Sequence, residues 1–201
     1  MLNQYLEIVR ITQLKGACMM TNTLEAISAI VKNFVDDSPK PPLHVGEVMD
    51  LWTAFTAFHE AHALYQVALN TTMDKELKQL VRDALDGSLA DTKKIEKLLL
   101  KEGVPLPLVN PKKPVSDPTA IPEGVKLNDD EIANLMSAKI AASITFCGQA
   151  ISKTVRTDAG LLFFSIQINL MKLATPLKTI MIEKNWLKMP PTYQPPGAPH
   201  Q

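Results

Sequence analysis

Six prolines between positions 105 and 122 divide this chain into two blocks. Proline lacks an amide proton and fixes φ, so no helix runs through such a segment. Nor do residues 104–127 show a helical period in their apolar side chains. On both sides of the segment the spacing turns helical over long stretches. Two helical blocks joined by one long extended connection restrict the fold to a helical bundle whose halves are linked by a crossover.

In the first block, from His44 to about Thr71, Val48, Leu51, Trp52, Phe55, Phe58, His62, Tyr65 and Leu69 fall on one face with a period close to 3.5 residues. Asn70-Thr71-Thr72-Met73 is a short polar turn. Asp74 is placed to cap a second helix, which turns Leu77, Val81, Leu85, Ile95 and Leu99 inward and stops at Gly103. So short a link makes the two helices an antiparallel pair. The second block opens with Asn128-Asp129-Asp130-Glu131, a capping-box pattern. Its first helix carries Ile132, Leu135, Ile140, Ile144, Cys147 and Ile151 to about Arg156. After a break at Thr157-Asp158, a fourth helix carries Leu162, Phe163, Ile166, Leu170, Leu173, Leu177 and Ile180 to Trp186, with a kink expected at Pro176.

Length decides the winding. Helices of about 28 residues are ~42 Å long, and about 24 extended residues span ~75 Å. An up-down-up-down bundle needs only a tight turn here, so the expected fold is all-α: an up-down-down-up, ferritin-like four-helix bundle with the crossover between helices two and three. The bundle occupies residues 43–188. Ahead of it, Leu24, Ile27, Val31 and Phe34 space an extra short amphipathic helix, and Pro39, Pro41 and Pro42 close a helix-and-linker unit at 21–42. Residues 189–201 form a proline-rich, extended tail. Lys15-Gly16-Ala17 can be encoded by a ribosome-binding sequence just ahead of Met19 and Met20. Residues 1–18 are therefore expected to be an upstream start-site artefact, and 1–20 an extension outside the native protein.

Composition narrows the function. Lys plus Arg and Asp plus Glu both number 21, which leaves no global field to attract nucleic acid or an anionic membrane. The 46% hydrophobic content of 201 residues is enough for one sizeable core, and with 5% aromatic residues it leans on helix-bundle side chains. The most apolar run, Leu161 to Met171, contains Gln167 and Asn169 and falls short of the roughly 18 residues of a membrane span, so it reads as core. Glu7 and Arg10 break any secretory signal pattern. Cys18 and Cys147 lie far apart, without the spacing of a disulfide framework or zinc knuckle, which fits a cytoplasmic location.

The expected winding invites a carboxylate-bridged di-iron centre, which takes a Glu from each of two helices and a Glu-x-x-His from each of the others. Here no Glu is followed by His three residues later. The third helix has no acid after Glu131, and the fourth none between Asp158 and Glu183. No di-iron centre, and no other cofactor, is expected. The remaining polar cluster is His59-Glu60-Ala61-His62, whose histidines share one helix face. Pairing of the first two helices about Thr72 brings Asp83 and Asp86 to the same height, and two His with two Asp make a donor set for a divalent ion such as zinc. The favoured reading is plainer: His62 is a core histidine bonded to a neighbouring Asp or backbone group. His44 stands at an N-cap ahead of Glu47 rather than in a ligand set. Cys147 lies on an apolar stripe, where a thiol is inert. There is no nucleophile elbow, Walker loop or dinucleotide glycine pattern, so no enzymatic reaction is expected.

The punctuating residues carry a resemblance. Glu47-Val48-Met49-Asp50-Leu51-Trp52, Asp74-Lys75-Glu76-Leu77-Lys78, Glu102-Gly103-Val104-Pro105-Leu106-Pro107, Leu127-Asn128-Asp129-Asp130-Glu131-Ile132, Arg156-Thr157-Asp158 and Asn185-Trp186-Leu187-Lys188-Met189-Pro190-Pro191 are similar, in order, to an uncharacterised family of Bacillus and related spore-formers. The likeness covers about residues 43 to 191. It implies a ferritin-like four-helix fold and a sporulation setting, since members are often described as candidate spore coat proteins, and it supplies no catalytic residues. Many members carry two such domains, and this chain has room for one. His44 stands where the family usually has Ser or Thr, and Asn185 where it usually has Gly. The expectation is therefore a non-enzymatic structural or interaction protein, cytoplasmic or in the spore coat, with protein partners that include other coat proteins. Homodimer formation is one way to cover the apolar face of the helix at 24–34.

Overall fold

A computed structural model describes residues 40–191, together with the single positions Glu25, Ser28 and Tyr193. The extension at 1–20, the expected helix at 21–35 as a unit, and most of the proline-rich tail lie outside the described residues.

Four long helices make the body: α1 (Val45–Thr71), α2 (Lys75–Lys101), α3 (Asp129–Lys153) and α4 (Thr157–Glu183). Each end has a local cause. His44 is extended, and its Nδ1 accepts the Gly46 and Glu47 amides at 3.0 and 3.3 Å, while the Glu47 carboxylate takes the His44 amide at 3.0 Å. This is a capping box with histidine doing the work of serine. Asp74 accepts the Glu76 and Leu77 amides and starts α2, which stops where Gly103 turns to φ 73°. Glu131 takes the Asn128 amide at 2.8 Å ahead of α3. Helix α4 ends at Glu183, short of the expected Trp186. Asn185 enters the left-handed region at φ 57°, which returns the Trp186 and Leu187 amides to the Met181 carbonyl at 2.8 and 3.0 Å. Pro176 lies exposed within the helical span of α4.

Contacts at the ends fix the winding. At one pole Glu47 of α1 meets Val155 and Arg156 between α3 and α4, and Arg156 meets Glu102 at the end of α2. At the other, Thr72 between α1 and α2 meets Asp129 at the start of α3, and Asp74 meets Lys184 beyond α4. Helices α1 and α4 therefore run one way, and α2 and α3 the other. The connection from Glu102 to Asn128 travels the length of the bundle as a strap along α1. Asn110 reaches Glu60, Lys113 donates its amide to Gln66 at 2.6 Å, and Asn70 bridges the Pro114 carbonyl and Ser116 amide at 2.9 and 3.0 Å. Two 3₁₀ turns, Pro118–Ala120 and Glu123–Val125, then deliver the chain to α3.

The interior forms two apolar clusters stacked along the axis. One centres on Leu77, Val81, Ile132, Met136, Ile140 and Leu177, and the other on Leu51, Phe55, Ile95, Leu99, Phe163 and Ile166. Full burial of each large side chain contributes roughly 1.5–3 kcal/mol. Alanines at 54, 61, 68, 133, 150 and 159 are buried among them and let the helices approach closely. That close approach narrows the inward stripes. Trp52 and Leu135, expected inside, are 37% and 44% exposed, since Leu51 with Ala54 and Ile132 with Met136 take the core positions.

Candidate functional site

His62 is buried at the α1–α2 interface. Its Nε2 makes a 3.0 Å hydrogen bond with Ser88 Oγ and lies 3.5 Å from Thr92 Oγ1, whose own proton goes to the Ser88 carbonyl at 2.7 Å. The partner is thus Ser88 of α2 rather than an Asp side chain. The His62–Ser88 bond sets 62 beside 88, farther from the loop than pairing about Thr72 places its partner, and leaves Asp83 and Asp86 nearer the loop. Asp86 is exposed. Asp83 accepts from Gln79 at 2.8 Å and lines a different cavity from the histidines. The His59 and His62 rings meet edge to face at 5.1 Å. Burial lowers the pKa of both; the neighbouring His59 adds to the effect at His62, and Glu96 and Glu60 oppose it at His59. The pair lies beside a groove of about 350 Å³ between α1, α2 and the strap, whose Val109, Asn110 and Pro111 form the far wall. Among the described residues no three His, Cys, Asp or Glu side chains converge to hold a metal ion.

A second polar locus sits at mid-height, where a cavity of about 60 Å³ takes residues from all four helices. Asp91 of α2 is 4% exposed; its carboxylate accepts from Lys94 Nζ at 2.7 Å and from Asn169 Nδ2 of α4 at 3.2 Å to each oxygen. Lys139 of α3 donates to the Ala57 carbonyl of α1 at 3.0 Å, and burial lowers its pKa against the pull of Glu60. Tyr65, raised in pKa by burial, lines the same space. In a ferritin-like bundle this is where iron would be held, and the residues do not fit it. Helices α3 and α4 bring Lys139, Ser143 and Asn169 here rather than carboxylates, and an ammonium group stands among the donors. No buried side-chain nitrogen or oxygen among the described residues lacks a hydrogen-bond partner.

The densest ionic chemistry is at the poles. Arg156 is 3% exposed in its side chain and donates to Glu102 at 2.6 Å and to Asp158 at 2.8 Å, while Lys40 meets Asp158 at 3.2 Å. Burial alone would raise the Asp158 pKa; Arg156 and Lys40 overcome it and hold the carboxyl at about 2. The Arg156 hydrogen bond likewise lowers Glu102. Glu47 is 2% exposed, and its Oε1 accepts the Val155 and Arg156 amides at 2.9 and 2.7 Å. At the opposite pole Asp129 accepts from Thr72 Oγ1 at 2.6 Å, Lys184 lies 2.7 Å from Glu76, and Asn134 donates to the Trp186 carbonyl at 3.1 Å. Apart from Lys40, these residues come from the quoted punctuating motifs or stand within two positions of them. The sequence reading took them as helix boundaries and missed that they bind one boundary to another, a pairing that no local pattern around Glu47 or Arg156 announces.

Winding and packing define a ferritin-like four-helix bundle. The same fold recurs in the ferritin-like part of a two-domain protein from Anabaena variabilis, which is 16% identical with a TM-score of 0.56 over 78% of this chain and 42% of that one, a likeness of fold alone. The chain belongs to the family described as "protein of unknown function (DUF3231)", whose model matches residues 33–198. It is 32% identical to the uncharacterised protein YvdQ of Bacillus subtilis over 154 residues, 76% of this chain and 89% of that protein. A solved structure from Bacillus halodurans, titled as a candidate spore coat protein, is 30% identical with a TM-score of 0.75, covering 77% of this chain and 98% of that one.

Proposed function

We propose that this chain is a non-enzymatic structural or interaction protein of the sporulating cell that joins the spore coat through its surfaces. The observation that carries the reading is the Bacillus halodurans relative, described as a candidate spore coat protein and matched over 98% of its length. The polar architecture supports it. Glu47, Glu102, Arg156 and Asp158 are engaged in holding helix ends, which is the chemistry of a rigid building block rather than of a reacting centre. Partners are then other coat proteins or a second copy of the chain. A fluorescent fusion followed through sporulation tests this: a ring around the forespore is the expected result, and a signal that stays diffuse in the mother cell defeats it. Cross-linking and pull-down from sporulating cells names the partners.

A second reading is favoured by the groove of about 350 Å³ that contains His59 and His62. Under it the bundle binds a small ligand or a divalent ion there, without a di-iron centre. Metal analysis of protein purified without a His tag discriminates the ion: stoichiometric zinc abolished by His62→Ala supports it, and metal-free protein that takes up no added zinc removes it.

A further inference from the structure

Arg156, Lys126 and Lys184 are buried or half-buried cations, and each meets a carboxylate, at 2.6, 3.3 and 2.7 Å. Lys139, half-buried on α3, has a backbone carbonyl instead: its Nζ donates to Ala57 of α1 at 3.0 Å. Burial lowers its pKa more than the charge of Glu60 raises it, and Glu60 itself is exposed and turned to Asn110 of the strap. Taking an ammonium group out of water is unfavourable unless an anion meets it. The side chain borders an apolar groove of about 260 Å³ in the seam between α1 and α3. Ala54, Ala57 and Ala142 leave the seam open, and the rings of Phe58 and Phe146 line it, the latter held edge to face on Phe163 at 6.1 Å. Among the described residues that line the groove, Lys139 alone is charged. Ser143, one turn along α3, lines both this groove and the mid-height cavity. Farther along the seam Lys153 pairs with Asp50 at 2.9 Å. The stretch of α1 from Asp50 to Ala57 sets these two lysine ties roughly 10 Å apart.

We propose that the α1–α3 groove binds a small monocarboxylate with an apolar body, its carboxylate on Lys139 and Ser143 and its body against Phe58, Phe146 and the alanines. Charge complementarity selects the head. Lys139 offers one positive charge, and no acidic side chain among the described residues lines the groove to repel an anion. Asp91, in the cavity behind, is engaged by Lys94 and Asn169 rather than by Lys139. Asp83 and Asp91 line that inner cavity, so their charge keeps an anion on the groove side of the ammonium group. A second negative charge on the ligand would meet only apolar wall, which excludes polyanions. Apolar walls with a few convergent polar groups are the make-up of a small-molecule site, and a volume just below the usual range for drug-sized ligands suits a smaller body. The site lies on a different side of α1 from His59 and His62, which face α2 and the strap.

A small molecule is favoured over a second copy on grounds of size and polarity. A groove roughly 10 Å long falls short of the roughly 800 Å² per partner of a stable dimer. A protein segment laid in it would also bring backbone amides and carbonyls against alanine and phenylalanine, where few side chains could pair with them. The site goes beyond the coat reading and does not depend on it.

Equilibrium dialysis of the full-length chain against naphthoate and octanoate, with neutral naphthamide as control, tests the site. The expected result is saturable uptake of one carboxylate per chain, with naphthamide held more weakly by about tenfold or more. Lys139→Met keeps the length of the side chain without its charge and should weaken naphthoate by the same factor, whereas Lys139→Arg should keep most of the affinity. Ala142→Phe, at an exposed position, should fill the groove and block uptake. His62→Ala should leave it unchanged, which separates this site from the histidine groove. Circular dichroism confirms that each variant is folded. If neither carboxylate saturates the protein below about 1 mM, the proposal falls. It falls equally if naphthamide matches naphthoate and Lys139→Met binds as well as the parent, since the charge then selects nothing. A dimer in size-exclusion chromatography that Ala142→Phe dissolves would give the groove to a second copy instead.

Discussion

Replacing Glu47 by alanine removes the one side chain that holds both the start of α1 and the entrance to α4. Three amides lose an acceptor: Arg156 at 2.7 Å, Val155 at 2.9 Å and His44 at 3.0 Å. The Arg156 amide is buried, so its bond to a carboxylate is worth about 1.5–3 kcal/mol, and it is left with no water to turn to. Val155 is exposed and the His44 amide sits at a helix cap, so these two add about 0.5–1 kcal/mol each. The total is about 2.5–5 kcal/mol. With a urea m-value of about 2 kcal/mol/M for a bundle of this size, the unfolding midpoint should fall by about 1.2–2.5 M at unchanged slope. Glu47→Gln keeps an oxygen for Val155 and Arg156 and presents its amide to His44, so it should cost only about 1–2 kcal/mol. Urea titration followed by circular dichroism reads both. A midpoint shift below about 0.5 M for the alanine variant, or equal losses for the two variants, would refute the view that Glu47 fastens the pole.

Three further expectations concern other groups. Asp158, held at about 2, is depressed below its unfolded value, so its pairing stabilises the fold above pH 4 and is lost as pH falls from about 4 toward 2. Discounted for partial solvent screening, that loss is about 1–2 kcal/mol, and Asp158→Asn should flatten this limb in a pH series of urea midpoints. The Cys147 thiol is pushed up to about 12 by burial, with help from the charge of Asp91. In the Cys18→Ser background a thiol reagent at pH 8 should therefore react only at the rate of unfolding, and stoichiometric labelling within seconds of mixing would contradict this. Asn185→Gly relieves the left-handed backbone at φ 57° and should raise stability by roughly 0.5 kcal/mol, read as a higher thermal midpoint.

The long helices were legible because their start signals are local. His44, Asp74 and Asn128 announce themselves within one turn, and a side chain that caps a helix acts on amides two or three residues away. The crossover was legible for a different reason, since its length alone rules out a tight turn. What stayed hidden depends on how one helix sits against another. The stagger of α1 against α2 sets His62 beside a serine in place of an aspartate. Trp52 and Leu135 looked like core by their chemistry, but the buried alanines beside them decided which face of each helix could approach its neighbour. Lys139 and Asn169 at mid-height were visible as residues; that they share a cavity with Asp91 is a fact of four helices at once.

The strap along α1 bears on how copies of this chain could exchange parts. A connection long enough to descend the whole bundle is also long enough to carry the α3–α4 hairpin to the neighbouring molecule, where the same two pole clasps would receive it. Polar bonds at Glu60, Gln66 and Asn70 tie the strap to its own α1. A string of copies joined by open-ended hairpin exchange would use the contacts that already exist inside the single chain.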